Sequence, residues 1–140
     1  MTPLEQMQQL AAQGVHQRRH PSDREHQMQC ACVRWFRLQY PQYAHNLFAV
    51  PNGGKRDEAT ASRLKDEGVL PGVADLILLR RNSRYGALLI EMKTRTGRQR
   101  QSQQQWQQLI EPDGYLYVIC RSIDDFMHHV RLYLSDSNPQ

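Results

Sequence analysis

The sequence is short of cysteine, short of lysine and without a long apolar run, and each shortage narrows what the chain can be. Its three cysteines, Cys30, Cys32 and Cys120, are an odd and small number for 140 residues, which argues against a disulfide framework and fits a reducing compartment. Cys30 and Cys32 form a Cys-x-Cys pair, but two further ligands at metal-site spacing are missing and the pair falls inside a helical pattern, so a four-ligand zinc site is not expected. No apolar stretch exceeds a few residues, and the N-terminus is Gln-rich where a secretion signal needs a hydrophobic block. A soluble, cytoplasmic protein with no membrane partner is expected.

With 39% apolar and 23% charged residues, the chain suits one compact domain. The net charge of +4 is modest, and only three of the eighteen basic residues are lysines. Their distribution is uneven. Seven lie between residues 80 and 100 (Arg80, Arg81, Arg84, Lys93, Arg95, Arg98 and Arg100), where the single acid is Glu91. A local excess of this size fits an anionic partner.

Residues 1–21 read as an N-terminal arm or short helix, 22–134 as the domain and 135–140 as a polar tail. Ser22 with Glu25 resembles a capping box, and Met28, Cys32, Trp35 and Phe36 then recur at helical spacing. Glu25 falls on that same inward face. The helix should stop near Tyr40, because Pro41 disfavours helical geometry at the residue before it. A short strand at 47–50, a turn at Asn52-Gly53-Gly54 and a surface helix at 57–67 with Ala61 and Leu64 on its thin apolar face follow. Strands at 76–79 and 87–92 are apolar on both faces and belong in the middle of a covered sheet. A helix at 102–110 with Trp106, Leu109 and Ile110 inward, a strand at 115–120 and a helix capped by Ser122 complete an α/β sandwich with a mixed sheet.

Glu91-Met92-Lys93 closes the second central strand, and residues two apart project to one face. Alone, this is an ordinary strand-end ion pair. A hairpin centred on Ser83 pairs residues whose numbers sum to about 166, which sets Asp75 opposite Glu91. Two facing carboxylates repel, more so when partly buried, and a divalent cation resolves the repulsion. An oxygen-rich carboxylate site suits Mg²⁺ or Mn²⁺ together with phosphate oxygens. Lys93 beside it can polarise a water or neutralise charge developing on a phosphoryl group, and the arginines nearby can grip phosphates.

The ordered set Glu25, Asn52-Gly53-Gly54, Gly68-x-x-Pro71-Gly72-x-x-Asp75, Glu91-x-Lys93 and Ser102-x-x-Gln105 resembles the VRR-NUC family of the PD-(D/E)XK nuclease superfamily, most closely its small stand-alone phage and bacterial members. The resemblance implies a restriction-endonuclease-like sandwich. It also implies roles: Asp75 and Glu91 as metal-binding acids, the main-chain carbonyl of Met92 as third ligand, and Glu25 as the acid of the first helix. Lys93 would be the catalytic lysine and Gln105 the glutamine of the following helix. One departure is Ala74, where many relatives have proline. The implied activity is Mg²⁺- or Mn²⁺-dependent hydrolysis of DNA phosphodiesters to leave a 5′-phosphate, structure-selective for branched or Holliday-junction DNA and carried out by a homodimer. A sequence-specific restriction-type or nicking enzyme, or a non-catalytic nucleic-acid-binding module, are the competing readings.

Residues expected at the nucleic acid are Asn52, Gly53, Lys55, Arg56, Arg95, Arg98, Arg100 and Ser102. His128-His129 reads as a surface pair, because neighbours on a helix point in different directions. Trp35 and Trp106 read as core residues within apolar helical stripes.

Overall fold

The computed structural model describes residues 21–51 and 57–136. The N-terminal arm as far as residue 20, the Asn52-Gly53-Gly54 turn with Lys55 and Arg56, residues 137–140 and the side chains of Pro21 and Ser22 lie outside the described residues.

Helix α1 spans Pro21–Gln39, so it already includes the serine expected to cap it. It buries Cys32 and Phe36 along the predicted stripe, with Met28 and Trp35 packed against the same core. Pro41 opens a 3-10 turn, Pro41–Asn46, that delivers the chain to strand β1, Leu47–Ala49. Helix α2, Glu58–Asp66, is capped by Asp57, whose carboxylate accepts from the Thr60 amide at 2.6 Å. None of its residues is buried, and it ends in a Schellman turn in which Val69 N–H donates to the Leu64 carbonyl and Gly68 N–H to that of Lys65.

Strands β2 (Leu76–Leu78) and β3 (Leu88–Met92) are antiparallel, with Leu76 paired to Ile90 and Leu78 to Leu88. This is the register expected for a hairpin centred on Ser83. Helix α3, Gln101–Ile110, then crosses to strand β4, Leu116–Cys120, which runs parallel to β3. The sheet order β1-β2-β3-β4 makes β3 an interior strand, and all five of its residues are buried. Helix α4, Ile123–Ser135, is capped by the Ser122 hydroxyl, which accepts from Asp125 N–H at 3.0 Å. Among the described residues, no helix is long and apolar enough to cross a membrane.

Alternation along the strands sorts the side chains into two layers. Leu76, Leu78, Leu88, Ile90 and Met92 meet Phe36 of α1 and Phe126 and Val130 of α4. Leu89 and Tyr117 face the other way, towards Trp106 and Ile110 of α3. One sequence expectation fails on these helices. Leu109 is 74% exposed instead of inward, because Trp106 and Ile110 already define the buried stripe and Leu109 turns off it. Helix α2 is the surface element expected, with Ala61 exposed and Leu64 half-buried.

The loop from α2 to β2 is fitted to the start of α3. Gly72 has φ of +88°, and a Cβ built there would collide with the Ser102 carbonyl. Gly68 also has a positive φ, +104°, but open space around it. Gly68→Ala should therefore cost about 1 kcal/mol, from backbone conformation alone. Gly72→Ala should cost about 2 to 4 kcal/mol, because strain adds to overlap. Urea unfolding of the two variants checks the difference.

Candidate active site

The β2–β3 register carries one step past its last paired residues to set Asp75 opposite Glu91. Asp75 is held from both sides. Its carbonyl accepts from Val50 N–H at 2.8 Å, beside β1, and its carboxylate Oδ2 accepts from Met92 N–H at 2.8 Å. The side chain thus serves as the acceptor for a strand amide where the β2 ladder has ended.

Glu91 is 1% exposed, on the face of β3 that looks towards α3. Its Oε1 accepts from Gln103 Nε2 at 2.8 Å and its Oε2 from the Tyr117 hydroxyl at 3.1 Å. Lys93, only 5% exposed, brings its Nζ to 4.0 Å from Oε1. Burial first, and the Asp75 carboxylate second, push the Glu91 carboxyl up to about 8 against the smaller opposing pulls of Lys93 and Tyr117. Burial and the Glu91 charge push the Tyr117 hydroxyl above its ordinary range, so it remains a proton donor.

Asp75, Glu91, Lys93 and Gln103 form the floor of a cleft of about 650 Å³. Glu25, His26 and Cys30 of α1 make one wall, with Pro71 and Gly72, and Arg100, Ser102 and Gln103 at the start of α3, around the rest. Glu25 shares the cleft without joining the two acids. Among the described residues, no three His, Cys, Asp or Glu side chains come together as a metal-ligating group. The sequence gives Glu25 to the outer part of a metal site, and the structure places it in the lining of the same cleft as Asp75 and Glu91.

The structure places two glutamines of α3 differently. Gln105 is exposed, whereas Gln103 is 6% exposed and touches Glu91. Gln103 Oε1 accepts from Arg100 N–H at 2.7 Å, which orients the amide so that its NH₂ must face the carboxylate. The signal was present in the sequence: Gln103 precedes Trp106 by three and Ile110 by seven, on the buried stripe of α3.

The basic segment divides. Arg80, Arg81 and Arg84 belong to the hairpin end, and an extended chain from Arg84 to Glu91 spans roughly 23 Å. Arg80 lies instead over the Tyr43 ring, 4.1 Å from its centroid. Lys93, Arg100 and Ser102 line the cleft, and Arg95 and Arg98 are exposed on the loop between Lys93 and Arg100. Sequence reasoning missed what holds this loop. Arg121 donates to the carbonyls of Thr94 at 2.9 Å and Gly97 at 2.5 Å. Elsewhere Trp35 and Trp106 pack into the two cores, and burial pushes the core thiols of Cys32 and Cys120 up to about 12. His128 is exposed and His129 half-buried on α4.

Residues 6–124 match the family model of the VRR-NUC domain. The chain belongs to the VRR-NUC family. The match begins inside the segment read as an N-terminal arm and covers most of the chain. A solved structure described as a VRR_NUC domain protein is similar over 81% of this chain and 90% of its own, with a TM-score of 0.71 and 21% identity. No curated protein matches the chain. The VRR-NUC assignment gives the mixed four-stranded sheet with flanking helices a nuclease-type fold.

The donor set of this VRR-NUC cleft fits a hard divalent cation. Asp75 and Glu91 offer oxygen only, and each carboxylate has lone pairs beyond the hydrogen bonds described. Burial and the facing Asp75 raise the Glu91 carboxyl, and a bound cation would offset the repulsion between the two acids.

That carboxyl also makes a sign-definite prediction for metal-free protein. Its pKa lies above the ordinary 4.5, so it stabilises the fold while protonated, and the contribution is lost as the pH rises from 4.5 through about 8. Thermal unfolding in chelator should show wild type losing Tm against Glu91→Gln across that range, by about 5 °C or more.

Proposed function

We propose that this VRR-NUC chain is a divalent-metal-dependent DNA endonuclease. The observation that supports this best is the convergence of Asp75, Glu91 and Lys93 on one cleft floor, with exposed arginines on the loop that leaves it. Asp75, Glu91 and the main-chain carbonyl of Met92 would hold Mg²⁺ or Mn²⁺. When bound, the ion would supply Lewis-acid polarisation of a phosphoryl oxygen and lower the pKa of a bound water.

The chain's own groups do the rest. Lys93 holds a water or a non-bridging phosphate oxygen in a site shielded from solvent, where its charge acts more strongly than in water. Gln103 fixes the rotamer of Glu91. Glu25, across the cleft, acts on water and not as a direct ligand. Arg95, Arg98 and Arg100 grip backbone phosphates, which orients DNA without reading its sequence. The products are a 5′-phosphate and a 3′-hydroxyl.

The proposal extends to branched or junction DNA cut by a homodimer. A cleft with one carboxylate pair addresses one strand, and shape-selective cutting of two strands needs two such clefts. A chain of this size also has little surface for base readout.

A Mg²⁺-dependent cleavage assay on four-way junction, flap, splayed and linear duplex substrates tests the reading. The expected result is preferential cutting of branched substrates, by protein whose light-scattering mass is twice the 16.4 kDa chain. Glu91→Ala and Lys93→Ala should lower cleavage by on the order of 100-fold or more while leaving DNA binding within a few-fold. Wild-type cutting by both variants would overturn the assignment.

A further inference from the structure

Tyr117 lies on β4, outside every motif that suggested a site, yet its hydroxyl is one of two neutral donors on the buried Glu91 carboxylate. The ring is core: it is 6% exposed and packs against Trp106 with centroids 6.1 Å apart. The hydroxyl is a separate matter. A phenylalanine would fill the same space, so packing does not explain the polar atom, and burying a hydroxyl is unfavourable unless it finds partners.

Its partners give the hydroxyl a direction. Gln99 Nε2 donates to the Tyr117 oxygen at 3.2 Å. With that donor pointing in, the phenolic proton is left to Glu91 Oε2, 3.1 Å away. Gln99 is itself fixed, because the same Nε2 donates to Gln107 Oε1 of α3 at 2.8 Å. A chain of hydrogen bonds therefore runs from α3 through Gln99 and Tyr117 to the acid. Gln103 reaches the other oxygen of the same carboxylate from one turn earlier on α3.

Gln99 also stands between Arg98 and Arg100, in the loop whose carbonyls Arg121 pins. The same segment that exposes phosphate-gripping arginines thus sends one side chain inward to the acid's support.

We propose that Tyr117 is a positioning residue for Glu91, oriented by Gln99, that fixes the carboxyl group with its free lone pairs turned to the cleft and so sets the affinity for a divalent cation. This rests on the reading of Asp75 and Glu91 as cation ligands. Groups behind a ligating carboxylate typically contribute 10- to 100-fold in metal affinity.

The test is calorimetric titration of the full chain with Mn²⁺, without DNA. Wild type should bind, Asp75→Asn should lose binding, and Tyr117→Phe should bind about 10-fold or more weakly while its Mg²⁺-dependent cleavage needs correspondingly more metal. Gln99→Ala, which removes only the orienting donor, should weaken binding by a smaller factor, about 2- to 5-fold. DNA affinity measured in chelator should be unchanged in Tyr117→Phe. A tyrosine serving packing alone would alter Tm and leave Mn²⁺ affinity at the wild-type value. That result, with binding lost in Asp75→Asn, overturns the role of Tyr117 and leaves the cation site standing. Mn²⁺ binding by wild type that Asp75→Asn does not diminish overturns both. If Tyr117→Phe does not fold, wild-type Mn²⁺ affinity in Gln99→Ala overturns the proposal.

Discussion

Two carboxylates facing each other at the ends of neighbouring buried strands are an electrostatic liability, and the local architecture is organised around it. Glu91 has almost no contact with solvent and has Asp75 opposite, so desolvation and like-charge repulsion act together. A fold without a use for this pair would gain by replacing either acid with an apolar residue. Instead, separate elements each contribute one group: a strand amide for Asp75, an amide from α3 and a phenol from β4 for Glu91, and a nearby ammonium from Lys93. None of these neutralises the pair. They orient it and leave the remaining charge to be met from the cleft.

Backbone constraints serve the same end. Gly72 allows the loop after α2 to lie against the main chain of Ser102, one residue before Gln103. Gln103 then spans the gap between its own helix start and Glu91, accepting from Arg100 and donating to the acid. The Gly-x-x-Pro-Gly-x-x-Asp run is thus more than a signature. Its second glycine fixes where α3 begins, and its aspartate is the acid that faces Glu91.

Much of this was legible in the sequence. Two apolar runs flanking a polar connection centred on Ser83 predicted the pairing that faces Asp75 with Glu91, because an antiparallel hairpin pairs residues symmetrically about its turn. Legibility fell where composition hides phase. Five glutamines lie between residues 101 and 107, and the motif spacing selected Gln105 when the stripe of Trp106 and Ile110 selects Gln103. Counting charge along the chain likewise joined arginines that a hairpin separates, since Arg80, Arg81 and Arg84 lie at the end of the strands remote from Glu91. Tyr117 and Arg121 had no sequence signal. Their roles arise from the parallel docking of β4 beside β3, a long-range contact that no local pattern encodes.

On the proposed function, Asp75 and Glu91 are held together to receive a divalent cation. Crystals grown in Mn²⁺ and measured at the manganese absorption edge test it most directly. The expected result is an anomalous peak between the two carboxylates, within ligand distance of both and of the Met92 carbonyl. Full manganese occupancy elsewhere, with Asp75 and Glu91 bridged only by a shared proton, would contradict it.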